Sequence, residues 1–340
     1  MPPAPPFLAA CRRQPVPYTP VWIMRQAGRY MAEYRAVRTK LGFLELCRTP
    51  DAAAEVTVAA VEKLGVDAAI IFADILLVLD PMGAGVEFSA GDGPRIRHPV
   101  RGAADVDRLA EVDPAALGYV YEAVRKARAA LRVPLIGFAG APFTLASYLV
   151  EGGGSHGWNR TRGFMHADPG AWDALMAKLV RAVGGYVNAQ IAAGAEAVQL
   201  FDSWVGALAP GDYRARVLPH MRALFAAIAP GVPVIHFGTG TAGLLEAMRA
   251  AGGDVIGVDW RVDLDAAWAR VGHDVAIQGN LDPAALLAPV ATIRRRAAAI
   301  LGQAAGRPGH VFNLGHGVLP DTPVDHVRAL VDAVHELSAR

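Results

Sequence analysis

The sequence predicts an α/β protein that folds as a single (β/α)8 barrel of the TIM type, with the active site at the carboxyl ends of the strands. Three observations lead to this prediction. Short apolar segments alternate with segments of helical periodicity about eight times along the 340 residues. The apolar segments contain few polar positions, as strands do when both faces are covered. Almost every one ends in glycine or polar residues, among them Asp202 and His236, so residues distant in sequence are expected to meet at one rim.

The predicted strands are apolar and short, and in chain order they read VWIM at 21–24, AAIIFADILLVL at 68–79, VPLIGFAGAPF at 133–143, AEAVQLFDSWVG at 195–206, PVIHFGTG at 233–240, DVIGVDW at 254–260, DVAIQGNL at 274–281 and HVFNLGHG at 310–317. Helical spacing follows most of them, and the predicted helices cover 51–64, 113–131, 168–193, 211–229, 242–251, 264–271, 282–301 and 324–338. Residues 86–101 contain glycine, proline and alternating positions, which favours an excursion or a hairpin.

No linker or change in composition divides the chain. We therefore predict one barrel domain spanning residues 1–340, in which the proline-rich residues 1–18 are partly mobile. A doubly wound open sheet is the competing architecture. Its dinucleotide-binding loop requires G-x-G-x-x-G after the first strand, and RQAGRY at 25–30 does not supply that pattern.

Composition excludes several classes of protein. Hydrophobic residues make up 53% of the chain and charged residues 19%, which is typical of a globular protein with a large core. The formal net charge of +1 argues against nucleic-acid binding. The start of the chain lacks the pattern of a signal peptide, and the apolar run at 68–79 is too short to span a membrane. We expect a cytoplasmic protein without a membrane partner.

Metal and nucleotide sites are not indicated by the motifs of the chain. Cys11 and Cys47 are the only cysteines, too few for a disulfide framework or a cysteine-rich zinc site. No H-x-H, H-E-x-x-H or C-x-x-C pattern occurs. The EGGG run at 151–154 lacks the lysine of a phosphate-binding loop, so it is interpreted as an ordinary loop or a lid. The motifs therefore give little support for a metal site or a nucleotide cofactor, and a zinc site would have to assemble from scattered ligands.

Arginines are concentrated directly after the first predicted strand. Arg25 and Arg29 flank Gln26, Ala27 and Gly28, and Arg38 follows within the next segment. A guanidinium group binds carboxylates through paired hydrogen bonds and stays charged when water is removed. Gly28 permits a close turn, so backbone N–H groups at 27 and 28 could also bind an anion. The loop is predicted to bind an anionic ligand, and a solvated basic loop is the alternative.

Asp74 is a carboxylate inside the otherwise apolar string IIFADILLVL. Removing a carboxylate from water is costly unless a positive or donating group meets it. Asp74 could accept N–H groups of a ligand or stabilise positive charge that develops in a substrate. Alternatively, it pairs with one of the arginines of the rim.

Three further residues at or near predicted strand ends could contact a ligand. His316 lies between two glycines, so its backbone is in a tight turn and its ring can face the mouth of the barrel. Tyr148 could project its phenol into the pocket, although packing is an alternative for an aromatic residue at helical spacing. Ser203 lacks the G-x-S-x-G context of a nucleophile and is interpreted as a hydrogen-bond donor.

Several strings of the chain together resemble one family. They are MRQAGRYMAEYR, FADIL, GFAGAPFTLASYLVEGGG, QLFDSWVGAL, VIGVDW, QGNLDP and NLGHGVLPDTP. In their order and spacing the chain resembles the uroporphyrinogen decarboxylases from near its start to near its end. This resemblance implies a (β/α)8 barrel, usually a cytosolic homodimer, that acts in porphyrin and haem biosynthesis without a cofactor. The implied reaction converts uroporphyrinogen III to coproporphyrinogen III by removing the carboxyl groups of four acetate side chains.

The resemblance also implies roles for individual residues. Asp74, Arg25 and Arg29 form the implied catalytic set, in which Asp74 holds the pyrrole N–H groups and the arginines hold carboxylates. The implied substrate-binding residues are Arg25, Gln26, Ala27, Gly28, Arg29, Arg38, Asp74, Tyr148, Ser203 and His316, and no metal ligand is among them. The proton donor stays open between Arg25 or Arg29, His316 and a substrate carboxyl group.

The chain departs from the family pattern at three positions. Ala73 occupies a position where serine is frequent, and Trp204 and Val205 follow Ser203 where small or polar residues are common. These differences concern the local shape of the pocket. Two rival functions are a zinc-dependent methyltransferase of the same barrel type, which would need histidine and cysteine ligands at the rim, and a non-catalytic barrel that binds polycarboxylates. The second would have little use for Asp74.

Overall fold

A computed structural model of the chain describes residues 4–89 and 93–340. Its main sheet is parallel and has seven strands in the order β1-β4-β5-β6-β7-β8-β9. The strands are β1 (Ala69–Ile70), β4 (Leu135–Gly140), β5 (Ala197–Asp202), β6 (Val234–Gly238), β7 (Val255–Gly257), β8 (Ala276–Gln278) and β9 (His310–Val311). A separate antiparallel pair, β2 (Val86–Ser89) and β3 (Gly93–Ile96), confirms the expected hairpin at 86–101.

Helices connect and cover the strands. In chain order they are α1 (Pro6–Cys11), α2 (Ala32–Arg38), α3 (Phe43–Arg48), α4 (Pro50–Leu64), α5 (Ala103–Arg108), α6 (Gly118–Ala130), α7 (Pro142–Glu151), α8 (Asn159–Ala167), α9 (Pro169–Ala192), α10 (Pro210–Arg216), α11 (Leu218–Ala227), α12 (Leu245–Ala251), α13 (Leu264–Val271), α14 (Val290–Ala304) and α15 (Val324–Ser338). Within the described ranges, no helix is both long and apolar enough to cross a membrane.

The main sheet is strongly curled. One hydrophobic cluster takes a buried side chain from each of its seven strands, and residues 20–22 hydrogen-bond to the chain at both edges of the sheet. Its strand members include Ala69, Ile136, Phe138, Ala197, Ile235, Phe237, Val255, Ala276 and Val311. Polar groups on the same inner side are paired: the Trp22 indole N–H donates to Gln278 Oε1 at 2.9 Å, and the Gln278 amide donates to Gln199 Oε1 at 2.9 Å.

Residues 20–22 fill the gap between the two edge strands of the sheet. The Phe312 N–H donates to the Pro20 carbonyl at 2.8 Å, directly after β9. The Asp67 N–H donates to the Val21 carbonyl at 2.8 Å, directly before β1. The predicted strand at 21–24 is therefore reduced to a single parallel bridge between Val21 and Phe312. The sheet has seven strands rather than the eight expected.

Side-chain hydrogen bonds explain why this first strand is so short. The Val21 N–H donates to the Asp67 carboxylate at 2.7 Å, and the Met24 N–H donates to Asn313 Oδ1 at 3.0 Å. These backbone donors are satisfied without a neighbouring strand, so no ladder extends beyond the bridge. The other strands are likewise shorter than their apolar runs: only Ala69–Ile70 of the run at 68–79 is strand.

The helix predictions agree best with the structure where helical spacing and the residues at the helix ends define the helix locally. The predicted helices 264–271 and 324–338 match α13 and α15. The helix predicted at 211–229 is instead divided into α10 and α11 around Val217, because Pro219 lies in the first turn of α11 and cannot continue a helix.

The proline-rich segment at the start of the chain is partly helical. Residues 1–3 lie outside the described residues. Within the remainder, Phe7 and Cys11 of α1 are buried in the cluster inside the sheet. The partial mobility expected of residues 1–18 stays a prediction, and α1 itself is part of the core.

Candidate active site

The arginine loop lies directly after the bridge at Val21. Arg25 has a positive φ of 62° and an exposed side chain. Gly28 must lack a side chain, since a Cβ there would lie 2.9 Å from the Arg25 carbonyl oxygen. Gln26 is buried; its amide donates to the Ala68 carbonyl at 3.3 Å and accepts from the Ile23 N–H at 3.2 Å. The Gln26 side chain is thus committed to the loop itself, and a substrate contact through it is not supported.

Asp74 follows β1 and is half-buried. Its carboxylate accepts the Leu76 N–H at 2.8 Å. Burial raises the pKa of Asp74 from its usual 3.8 to about 6, while the Leu76 hydrogen bond and the positive charge of Arg25 oppose the rise. Asp74 is therefore largely ionised at neutral pH and lies within the field of Arg25.

His316 lies in the turn that follows β9. Burial, together with the charges of Arg25 and Arg261, lowers the pKa of His316 to about 4, while the charge of Asp259 opposes the shift. The imidazole is consequently neutral at physiological pH. Gly317 packs against Arg25, since a Cβ there would lie 2.7 Å from Arg25 Cγ. The turn thus places His316 beside the arginine loop.

Tyr148 belongs to α7 and is buried against two tryptophans. Its ring centroid lies 5.6 Å from that of Trp158 and 6.1 Å from that of Trp204, and the two indoles lie 4.9 Å apart. Burial raises the pKa of Tyr148 to about 12; Trp204 and Arg25 oppose the rise, and Asp74 adds to it. The phenol is protonated at neutral pH and can donate a hydrogen bond.

Ser203 precedes Trp204 at the end of β5 and is buried, with 7% of its surface exposed. The Ser203 carbonyl accepts the hydroxyl of Thr239. The Trp204 N–H donates to Thr144 Oγ1 at 3.3 Å, which fixes the turn that carries both residues. This turn brings Ser203 next to the aromatic group around Tyr148.

Arg29 and Arg38 lie around Tyr34 of α2. Burial raises the pKa of Tyr34, and both arginines oppose that rise. Arg38 donates to the Leu41 carbonyl and lies 5.8 Å above the Phe43 ring centroid. These two arginines therefore form a basic group around Tyr34.

Cys47 is buried in α3. Burial raises the pKa of its thiol, and the negative charge of Asp74 raises it further. The described residues contain no group of three histidine, cysteine, aspartate or glutamate side chains that could hold a metal ion.

Two other residues expected at the rim lie behind the sheet. Asp202 and His236 are fully buried, with Asp202 Oδ2 3.8 Å from His236 Nε2. Thr144 donates to Asp202 Oδ1 at 3.1 Å, and the His236 ring packs 5.3 Å from that of Phe225. These side chains face the helical layer and not the mouth.

Arg261 was missed by the sequence analysis. It follows β7, pairs with the buried Asp259 and lies beside His316. The signal was present in the sequence, because VIGVDWR ends a strand with an acidic, an aromatic and a basic residue in succession.

Arg25 connects the groups that the structure brings together. Its charge acts on the pKa values of Asp74, Tyr148 and His316 alike, so the four side chains share one region at the carboxyl ends of the strands. The region offers guanidinium groups, a neutral imidazole, a protonated phenol and the carboxylate of Asp74, which has no arginine hydrogen-bonded to it among the described residues. Such a site can bind a polyanion and stabilise a local positive charge within it.

Comparison with known proteins gives consistent matches. A family model described as "Uroporphyrinogen decarboxylase (URO-D)" matches residues 2–337. The chain is 59% identical over 335 residues to a protein named uroporphyrinogen decarboxylase from Sorangium cellulosum (strain So ce56), covering 97% of this chain and 96% of the relative. It is 55% identical over 342 residues to a protein of the same name from Roseiflexus sp. (strain RS-1), covering 98% of each.

Solved structures show the same fold at lower identity. A methyltransferase from Methanosarcina mazei superposes with a TM-score of 0.80 at 21% identity, over 97% of each chain. A putative vitamin-B12 independent methionine synthase from Listeria monocytogenes superposes with a TM-score of 0.58 at 12% identity, over 96% of this chain and 99% of that one. At these identities the likeness concerns the fold alone.

Proposed function

The chain belongs to the uroporphyrinogen decarboxylase family, and we propose that it removes the carboxyl groups of the four acetate side chains of uroporphyrinogen III, using the site around Arg25 and Asp74. The observation that carries this proposal is the position of the Asp74 carboxylate, which follows β1 and lies within the field of Arg25. No cofactor takes part in the proposed reaction, and the product is coproporphyrinogen III.

Arg25, Arg29 and Arg38 bind the carboxylates at the periphery of the macrocycle. Guanidinium groups suit this task because they donate two parallel hydrogen bonds to a carboxylate. They also attract the polyanionic substrate and orient it before reaction. The backbone at Ala27 and Gly28, together with Tyr148, Ser203 and His316, completes the proposed substrate-binding set.

Asp74 acts on the centre of the macrocycle. Addition of a proton to a pyrrole ring creates a cation, and the ring then accepts the electron pair of the breaking bond between the acetate CH2 and its carboxyl carbon as CO2 leaves. The exocyclic methylene takes up a proton to become methyl, and the ring loses its added proton. The Asp74 carboxylate accepts the pyrrole N–H groups and stabilises the cation electrostatically.

The pKa of His316 narrows the choice of proton donor. A histidine with a pKa of about 4 carries almost no proton to donate at neutral pH, so His316 is better suited to accept or donate a neutral hydrogen bond. Arg25, Arg29 and a substrate carboxyl group are then the candidates that we propose.

The closed eight-stranded barrel is also a proposal. The hydrogen bonds of residues 20–22 to both edges of the sheet support it, because that segment occupies the position of an eighth strand. We further propose one domain over residues 1–340, a homodimer and a cytoplasmic location. The last two rest on the family resemblance, and light scattering of the purified protein tests the dimer.

The proposed reaction can be tested by product analysis. Anaerobic incubation of the protein with uroporphyrinogen III, followed by oxidation and chromatography, separates porphyrins by their number of carboxyl groups. We expect the eight-carboxyl species to disappear and the four-carboxyl species to accumulate, also after treatment with a chelator. Arg29→Gln should raise KM, whereas the matched control Arg249→Gln, which removes a surface arginine paired with Asp274, should not. Absence of the four-carboxyl product would contradict the proposal.

A further inference from the structure

Arg261 is held at one side of its guanidinium group and free at the other. Its Nη1 donates to Asp259 Oδ2, and its guanidinium carbon lies 4.1 Å from the Trp260 ring centroid. Asp259 is fully buried, whereas 53% of the Arg261 side chain is exposed. The buried carboxylate and the indole therefore orient a guanidinium group that still faces solvent.

The remaining donors of Arg261 have no partner among the residues that the structure describes. Only Nη1 and the backbone N–H of Arg261 contact Asp259, whose Oδ2 also accepts the Gly240 N–H at 2.7 Å. Arg270 provides a contrast: its Nε and Nη2 bind Glu246 at 2.7 and 2.8 Å. In Arg261 that same Nε and Nη2 edge is available to bind a carboxylate in the bidentate geometry.

The turn at 315–317 places Arg261 in the mouth. A Cβ at Gly315 would lie 2.9 Å from the Trp260 ring, and a Cβ at Gly317 would lie 2.7 Å from Arg25 Cγ. His316 stands between these two contacts, and its pKa is lowered by the charges of both arginines, after the effect of burial. Arg25, His316 and Arg261 thus follow one another along the same arc of the rim.

We propose that Arg261 binds a peripheral carboxylate of the substrate through its Nε and Nη2 edge, on the far side of His316 from Arg25. This inference rests on the proposed function, because it assumes that the macrocycle lies in this mouth. Arg261 would extend the basic surface beyond the arginine loop, on a different element of the fold. A substrate with eight carboxylates needs contacts on more than one side of the site.

Steady-state kinetics with uroporphyrinogen III test the proposal. Arg261→Gln should raise KM about 5- to 30-fold, the loss expected for one charge-assisted hydrogen-bonded contact at a partly exposed position. We expect kcat to stay within about twofold, since the contact is made equally in the ground state and the transition state. Arg261→Lys keeps the charge without the planar edge and should give an intermediate KM.

Two controls separate binding from structure. Arg249→Gln also removes an exposed arginine that is paired with an aspartate, at 2.8 Å, and should leave KM unchanged. Arg261→Gln leaves the buried Asp259 without its charge partner and could destabilise the turn. The double variant Asp259→Asn/Arg261→Gln replaces the ion pair with two neutral amides. If Arg261 contacts the substrate, the KM of the double variant stays raised, while the melting temperature of the double variant returns towards that of the wild-type protein.

Each outcome of the experiment decides the proposal. An unchanged KM in Arg261→Gln, or a KM restored in the double variant, overturns it while the proposed function stands. If the wild-type protein does not convert uroporphyrinogen, the proposed function fails instead. Arg261 can then still be tested by the binding of uroporphyrin, the oxidised octacarboxylate, measured through the quenching of tryptophan fluorescence. A Kd raised about 5- to 30-fold in both Arg261 variants supports a carboxylate contact, and an unchanged Kd excludes it.

Discussion

Asp74 carries a charge that its surroundings disfavour and that the proposed reaction requires. Burial raises the pKa of Asp74 to about 6, so the ionised form costs free energy in the substrate-free protein. The pyrrole N–H groups and the cationic intermediate would add to the partial compensation that the charge of Arg25 provides. Two predictions at the scale of this residue follow from its pKa.

The first prediction concerns the pH dependence of activity. Only the ionised form of Asp74 stabilises a cation, so kcat/KM should fall as pH decreases through about 6, by about tenfold per pH unit below it. A pH–rate profile of the wild-type protein measures this. His316 has a pKa of about 4, so His316→Asn should leave the midpoint in place. A midpoint of the pH–rate profile below about 4.5 would mean that the pKa of Asp74 is not raised as described.

The second prediction concerns stability. The folded-state pKa of about 6 exceeds the usual 3.8, so the native state binds more protons between these values and loses stability as pH rises through that window. Asp74→Asn removes this cost and keeps an acceptor for the Leu76 N–H. Denaturant unfolding at pH 7.5 should show the variant more stable by about 1–3 kcal/mol.

The same comparison at pH 4 serves as its control. There the wild-type carboxyl is protonated in the folded protein, so the two proteins should differ little. A variant that is less stable than wild type at pH 7.5, or a difference that does not depend on pH, would contradict the described burial of Asp74.

At the scale of elements, the turn after β9 positions Arg25. A Cβ on Gly317 would lie 2.7 Å from Cγ and 2.8 Å from Nε of Arg25, so Gly317→Ala should displace the guanidinium group. We expect KM for uroporphyrinogen to rise by about tenfold, because a small misplacement of an orienting group is costly. Gly302→Ala in α14, where a Cβ meets no atom within 4 Å, is the matched control. Equal kinetics in both variants would show that the turn does not hold Arg25.

The elements also show what a sequence can predict. The bounds of α13 and α15 were predicted because helical spacing and the residues at helix ends are local signals. The strand at 21–24 was overestimated because its N–H groups bind the side chains of Asp67 and Asn313, which are distant in sequence. Such partners become visible only in the folded chain.

The site was predicted unevenly for a similar reason. Arg25, Asp74, Tyr148 and His316 were predicted from strand ends and from resemblance, and the charge of Arg25 acts on the other three side chains; their contact with a substrate stays a prediction. Asp202 was wrongly expected at the rim. Side chains alternate along a strand, and with Gln199 on the inner side of the sheet, Asp202 three residues later faces the helices.

At the scale of the whole molecule, Asp67 holds in place the segment that lies between the two edge strands of the sheet. Its carboxylate accepts from the Val21 N–H at 2.7 Å and the Tyr18 hydroxyl at 3.0 Å, and it lies 2.8 Å from His335 Nε2 of α15. Asp67→Ala should lower the free energy of unfolding by about 2–4 kcal/mol, because the buried donors lose their acceptor.

Chemical denaturation measures this effect. Asp325→Ala, which removes a highly exposed aspartate of α15, is the control and should stay within about 0.5 kcal/mol of wild type. If Asp67→Ala were as stable as that control, residues 20–22 would not contribute to closing the sheet.

The proposal that a single ionised carboxylate stabilises the cation is tested most directly by comparing turnover and binding in Asp74→Asn. Asparagine is close in size to aspartate but carries no charge, and the arginines that hold the carboxylates are untouched. We predict that kcat for uroporphyrinogen III falls at least about 100-fold, while the Kd for uroporphyrin changes by less than about tenfold. A variant that turns over within about threefold of the wild-type rate would contradict the role assigned to Asp74.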